Sequence, residues 1–376
     1  MRFRSTCIYT VLLAALALPA AAQDQKKIGD INFSGLIDGY YSFNFNHPAT
    51  GFNTLRNFEI RSGQFSLNMA ELSLWKDTDD DNQVGFRVDL GYGRAWDVFF
   101  ATEPGTRNIQ RYIPQAYVSL RPKGWGGFQI DFGKFYTSVG AELTENIYTW
   151  HYGRGYMYTN GPYYHYGARL TKPLTENFSV GFQLVNGWNN VEDNNTGKTM
   201  GFNAAYTTDK FSWLFNSYVG PEKTGTNKGW RGIYDTVINL TPNDWFTGYI
   251  DYYHGRENLA NGPGTPAANW DAIGFSGKFN TSDTDFVAFR YEYFSDHDGF
   301  ATGYGSQLNL HEFTATYSHT WEGGLEMRAE YRRDMSDQPF FEHGNQGMPL
   351  NPGFGAYIPG PYKHQDTLTL GFIMSF

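Results

Sequence analysis

Apolar and polar residues alternate along most of this chain. At its end Leu368, Leu370, Phe372, Met374 and Phe376 occupy every second position, separated by Thr369, Gly371, Ile373 and Ser375. A period of two places such residues on one face of an extended strand. Val84, Phe86, Val88, Leu90 and Tyr92 repeat the pattern, as do Phe178 to Leu184, Val287 to Tyr293 and Leu325 to Tyr331. Phe33, Ile37, Tyr41 and Phe43 begin it, and weaker versions fall near 109–121, 127–136, 164–172, 199–207, 210–219, 231–240, 245–254, 270–279 and 308–319. The segment 64–76 changes phase between Met69 and Leu72, which predicts a β-bulge near Ala70. The pattern predicts an all-β protein of about sixteen antiparallel strands, with no domain boundary after residue 22.

The connections between these strands sort by parity. Those near 77–82, 122–126, 172–177, 207–210, 241–244, 281–284 and 320–323 are short and polar. Those near 45–63, 93–108, 137–163, 188–198, 220–230, 255–269, 295–307 and 333–366 are long. A soluble sandwich has no reason to alternate in this way. A transmembrane barrel does, because it has tight periplasmic turns and long extracellular loops. Each strand is near the ~10 residues needed to cross a bilayer at a tilt. Tyr40, Tyr92, Tyr206, Tyr252 and Tyr293, at strand ends, are expected to form an interfacial aromatic girdle.

Composition agrees with that class. Aromatic residues make up 18% and charged residues 18%, and there are 43 glycines among 376 residues. Soluble domains carry about 25% charged residues. Arg2 and Arg4, the apolar run from Ile8 to Pro19 and the small residues Ala20 to Ala22 read as a secretory signal peptide over 1–22, cut before Gln23. Cys7, the only cysteine, lies within it, so the mature chain is expected to have neither disulfides nor thiolate ligands. Losing Arg2 and Arg4 leaves 27 basic against 38 acidic residues, a net charge of −11 that argues against nucleic acid as a partner.

Two resemblances follow from particular residues. The C-terminal alternation ending on Phe376 resembles the recognition strand of Gram-negative outer-membrane barrels. It marks Phe372, Met374 and Phe376 as the signal read by the barrel-assembly machinery, and outer-membrane lipid and lipopolysaccharide as the surroundings. The stretches 33–46 (FSGLIDGYYSFNFN), 56–77 (RNFEIRSGQFSLNMAELSLWKD), 84–93, 115–120, 131–143 and 184–202 together resemble the OmpL-like family of outer-membrane β-barrel porins. That resemblance implies a channel in the outer membrane and brings no catalytic residues with it.

Chemical motifs are sparse. Asp77 to Asp81 opens like a Ca²⁺ loop, but Asn82 and Val88 stand where an EF-hand needs Gly and Glu, so a solvated turn is expected. The histidines lack HExxH spacing, no G-x-S-x-G is present, and no cofactor, metal site or enzymatic activity is expected. By parity the polar face carries Asp38, Arg87, Asp89, Arg169, Asp251, Lys278, Arg290, Glu292, Glu312, Glu326, Arg328, Glu330 and Arg332. On a lipid face each would cost ~2–4 kcal/mol at the midplane, so these residues are expected to line a water-filled pore.

The third outward connection, 137–163, is expected to fold inward as a constriction, presenting Glu142, Glu145, His151 and Arg154 to wall bases such as Arg87 and Arg290. The eighth, with its prolines, is expected to be an external lid. The function expected is passive diffusion of small hydrophilic solutes with weak cation preference. The alternative is a non-transporting barrel, either adhesin-like or a lipid hydrolase. Whether barrels associate into homotrimers is left open.

Overall fold

The computed structural model describes residues 26–101, 103, 108–259, 266–344 and 360–376. The expected signal peptide and the prolines between 345 and 359 fall outside them. A short strand, β1 (Lys26–Ile28), precedes sixteen long ones: β2 (Ile31–Asn44), β3 (Gln64–Lys76), β4 (Val84–Tyr92), β5 (Ala116–Leu120), β6 (Gln129–Tyr136), β7 (Tyr164–Pro173), β8 (Phe178–Val185), β9 (Thr199–Thr207), β10 (Phe211–Pro221), β11 (Trp230–Asn243), β12 (Phe246–Asn258), β13 (Ala267–Asn280), β14 (Asp285–Asp296), β15 (Leu308–Thr320), β16 (Leu325–Ser336) and β17 (His364–Ser375). Each long strand pairs antiparallel with its sequence neighbour, and β17 closes on β2 through pairs such as Leu370↔Tyr41. The result is a closed sixteen-stranded barrel with no open edge between β2 and β17. Among the described residues no helix is long and apolar enough to cross a membrane.

The seam is tight. Gly35 and Phe376 exchange both backbone hydrogen bonds, at 2.8 and 3.0 Å. A Cβ on Gly35 would stand 2.2 Å from the Phe376 ring, so only glycine leaves room there for the terminal aromatic. Phe372 and Phe376 are exposed on the outer face, and Met374 beside them is half-buried.

Alternation sets what faces where. Ile37, Leu72, Leu90, Val118, Phe132, Phe202, Ile250, Phe289, Phe313 and Leu370 are exposed, while Asp38, Asp89, Asp131, Asp251, Arg290, Glu312 and Arg332 are buried. This inverts the arrangement of a soluble protein. An outward apolar band with a polar interior is the arrangement a bilayer demands. The phase change in β3 is a bulge at Asn68: Asp38 pairs with Met69 and Gly39 with Leu67, so Asn68 and Met69 both turn inward. It lies two residues before the expected Ala70.

Three expectations need correction. The strand expected over 109–121 shrinks to β5, because Asn108–Tyr112 winds into a 3₁₀ turn and Pro114 follows it. Tyr40 is not in an outer girdle. It is buried, its hydroxyl accepts the Arg61 amide at 3.0 Å, and its ring lies 5.7 Å from that of Tyr152. Strand β16 continues to Ser336, beyond the expected start of the eighth connection, and so brings Asp334 into the wall. Tyr92, Tyr206 and Tyr252 are exposed as expected.

The acidic turn after β3 is self-contained. The amides of Asn82 and Asp81 donate to Asp79 at 2.6 and 2.8 Å and hold its carboxyl below the usual carboxylate range, while Arg121 reaches Asp80 at 3.1 Å.

Candidate functional site

The interior is not an empty tube. The connection 137–163 lies inside it and is held by wall residues whose strand neighbours face outward. Glu330 on β16 accepts the amides of Tyr152 and Gly153 at 2.6 and 2.8 Å. Asp38 on β2 accepts the Tyr152 hydroxyl and the Asn146 side chain, both at 2.6 Å. Asp334 accepts the Tyr156 hydroxyl at 2.7 Å, Asp251 on β12 the Ala141 amide at 2.7 Å, and Glu292 on β14 the Met157 amide at 3.2 Å. Hydrogen bonds to charged acceptors are worth about 1.5–3 kcal/mol each, so five such carboxylates fix the segment firmly. The backbone sits close to the wall: a Cβ on Gly155 would lie 1.9 Å from the Glu292 carboxylate, and one on Gly371 of β17 2.2 Å from the Tyr152 ring.

The four residues singled out in this segment have distinct surroundings. Glu142 meets Arg290 at 2.5 Å and accepts the Gly155 amide at 2.7 Å. His151 is buried, with one ring nitrogen 2.8 Å from Thr316 and the other 2.9 Å from Ser276. Arg154 does not reach wall residues by its guanidinium. It donates to the carbonyls of Leu143, Thr144 and Tyr152 at 2.7, 2.7 and 3.0 Å and to Asn146 at 2.5 Å, and so clasps the segment to itself. Glu145 lies near Arg87, as expected, but also among acids. Its carboxylate and those of Glu71 and Asp89 lie within 4.8 Å of one another, and this is the group among the described residues whose donor atoms could hold a metal.

The charged positions on the wall divide in two. On β14–β16, Arg290 pairs with Glu312 at 2.6 Å, Arg332 with Asp334 at 2.8 Å and Glu312 at 3.2 Å, and Arg328 with Glu326 at 2.7 Å. The same arginines also bind the segment 137–163: Arg290 donates to the Gly153 carbonyl, Arg328 to that of His151 and Arg332 to that of Arg154, at 2.9, 3.2 and 2.5 Å. On the other side Arg87 binds Asp89 at 2.9 Å, and Arg169 binds Asp131 at 2.7 Å. Lys278 on β13 faces the Phe286 ring at 5.4 Å. Two small clefts remain between the segment and the wall, both bordered by Glu142 and Tyr249. The first also touches Asp251 and Glu292, the second His151.

The family described as "Putative beta-barrel porin-2, OmpL-like" matches residues 30–376. The chain belongs to this family. The porin is similar in structure to OmpT of Vibrio cholerae, with TM-score 0.59 and 13% identity over 94% of this chain and 100% of that one. It is also similar to an anion-selective porin from Comamonas acidovorans, with TM-score 0.59 and 12% identity over 92% and 99%. Salmonella typhi OmpF, in a complex with daunomycin, gives TM-score 0.58 and 12% identity over 93% and 99%. At these identities the likeness concerns the fold. No curated protein matches the sequence. Family and fold are those of an outer-membrane channel rather than an enzyme.

Sequence reasoning missed several interior residues of the porin. Arg56 and Glu59 belong to the first outward connection, yet both are buried. Arg56 pairs with Glu59 at 2.5 Å and with Asp334, and donates to Thr367 at 3.2 Å. Buried Trp96, Phe99 and Phe100, from a helical turn over Arg94–Phe99 in the second connection, pack with Tyr136 and Tyr164. Lys134 on β6 lies 3.8 Å from the Phe100 ring centre. Strand parity could have found Lys134, Glu71, Asp131 and Asp334. Nothing periodic marks Arg56 or Trp96.

Proposed function

We propose that this porin passes small hydrophilic solutes down their gradients, and that the segment 137–163 sets the size of the passage. One observation carries the reading: the segment is seated across the interior, bonded to β2, β12, β14 and β16, and solute must pass beside it. Both clefts left between the segment and the wall are bordered by Glu142, which puts a carboxylate beside the passage. Acidic Asp38, Asp89, Asp251, Glu292, Glu312, Glu326 and Glu330 outnumber the basic Arg87, Arg169, Lys278, Arg290, Arg328 and Arg332, and the further inward residues Glu71, Asp131 and Asp334 against Lys134 widen the excess, which supports a cation preference. A signal peptide over 1–22 delivers the chain to the periplasm, and the outer-facing Phe372, Met374 and Phe376 present it to the assembly machinery. Barrels associate as homotrimers. The support is the trimer form of the structurally similar Vibrio cholerae OmpT and the low wall at β4–β6.

The experiment is addition of the purified, folded barrel to a planar bilayer. Stable stepwise conductance with a reversal potential mildly toward cations is expected. Folded, heat-modifiable protein giving no steps would favour the non-transporting alternative, and strong anion selectivity would remove the charge reading.

A further inference from the structure

The acids Glu71, Asp89 and Glu145 come from three separate elements, β3, β4 and the inward segment, and converge on one buried spot. Only part of their bonding capacity is used. Ser73 donates to Glu71 Oε1 at 3.0 Å, but Glu71 Oε2 is buried without a partner. Asp89 receives Gln115 at 2.7 Å and Arg87. A second, independent feature points into the same spot. Tyr136 is only 7% exposed, and its hydroxyl, close to Glu145, Glu71 and Asp89, has no partner in hydrogen-bond geometry. Buried polar atoms are nearly always satisfied, so unpaired oxygens around one point mark a missing partner.

The missing partner has a definite chemistry. Three carboxylates against the single guanidinium of Arg87 leave a charge of −2, so a divalent cation balances the site. Oxygen-only donors select a hard ion over zinc or copper. Oxygens bound to Ca²⁺ at ~2.4 Å stand at most about 4.8 Å apart across the ion, and the three carboxylate oxygens lie within that span. Carboxylates able to bind through one or both oxygens, the phenol and water fill the six to eight positions Ca²⁺ takes. We propose that Glu71, Asp89, Glu145 and the Tyr136 hydroxyl hold one Ca²⁺ inside the barrel, fastening the inward segment to the β3–β4 wall. The ion does there what Glu330 and Asp334 do across the interior, and the site exists whether or not the barrel conducts.

The test uses the full folded barrel in detergent, washed with chelator and titrated with Tb³⁺, which replaces Ca²⁺ and luminesces when a nearby tyrosine is excited. One Tb³⁺ per barrel is expected, sensitised by Tyr136 and the adjacent Tyr148 and displaced by Ca²⁺. Glu71→Gln and Glu145→Gln should each weaken binding at least tenfold, and Tyr136→Phe a few-fold with loss of signal. Glu145 lies in a connection rather than a strand, so Glu145→Gln carries the test if Glu71→Gln fails to fold by heat modifiability. Binding that survives the Glu71→Gln/Glu145→Gln pair, or that disappears instead when Asp79 and Asp81 of the acidic turn become Asn, overturns the site. Mg²⁺ competing as well as Ca²⁺ overturns the assignment of the ion.

Discussion

From β13 to β17 the strands run 12 to 14 residues, and β16 carries inward charges of alternating sign from Glu326 to Asp334, while from β4 to β6 the strands run 5 to 9 residues and carry fewer inward charges. On the tall wall Arg290, Arg328 and Arg332 each have a carboxylate within 3.2 Å, and each also donates to one carbonyl of the inward segment. On the low wall Arg87 stands alone beside Glu71, Asp89 and Glu145. The contrast shows that facing inward and being neutralised are separate properties. Alternation decides the first. The second depends on which strands lie side by side and on where a connection folds, and a short wall offers fewer rows in which opposite charges can meet.

Breaking both attachments at once should have the largest effect. Deleting residues 142–158 removes Glu142, Glu145 and every anchor to Glu330, and single-channel conductance should rise several-fold, with larger sugars admitted in liposome swelling. Unchanged conductance in an assembled barrel would place the constriction elsewhere. Next comes a variant confined to the tall wall. Gly155→Val forces a side chain into the Glu292 carboxylate and should lift the segment off that side, giving noisier steps and about twofold higher conductance. If the recordings match wild type, the segment does not bear on the passage through this wall. The smallest expected effect sharpens the charge contrast. Asp89→Asn on the low wall should lower the cation-to-anion permeability ratio by up to roughly twofold, whereas Glu312→Gln, whose charge is already matched by Arg290 and Arg332, should change it less. Equal shifts from the two variants would mean that pairing within the wall does not screen the passing ion.

The sequence was read well where one physical rule governs. Period two located the sixteen long strands, the parity of the connections and the inward side of Asp38, Asp251 and Arg328, because a bilayer penalises any other phase. It failed where the chain answers to neighbours rather than to lipid. Tyr40 has the composition of a girdle residue but turns inward, where Tyr152 and the Arg61 amide meet it. Arg154 has the charge of a channel residue but spends its donors on four oxygens of its own segment. Glu145 lies near the expected base, Arg87, but its company of two acids was not legible, since no spacing in a sequence records that residues 71, 89 and 145 share a corner.

The seam between Gly35 and Phe376 has a consequence for the order of events in biogenesis. Strand β2 is made long before its partner, β17. The inward segment likewise precedes most of its supports: Asp38 comes before it, but Glu292, Thr316, Glu330 and Asp334 all follow it in the chain. A chain cut short by one strand would therefore leave two unpaired edges. It would also lose Gly371, the residue whose missing side chain makes room for Tyr152. Closure and filling both wait on β17, so the ring and its inward segment are completed in the same step.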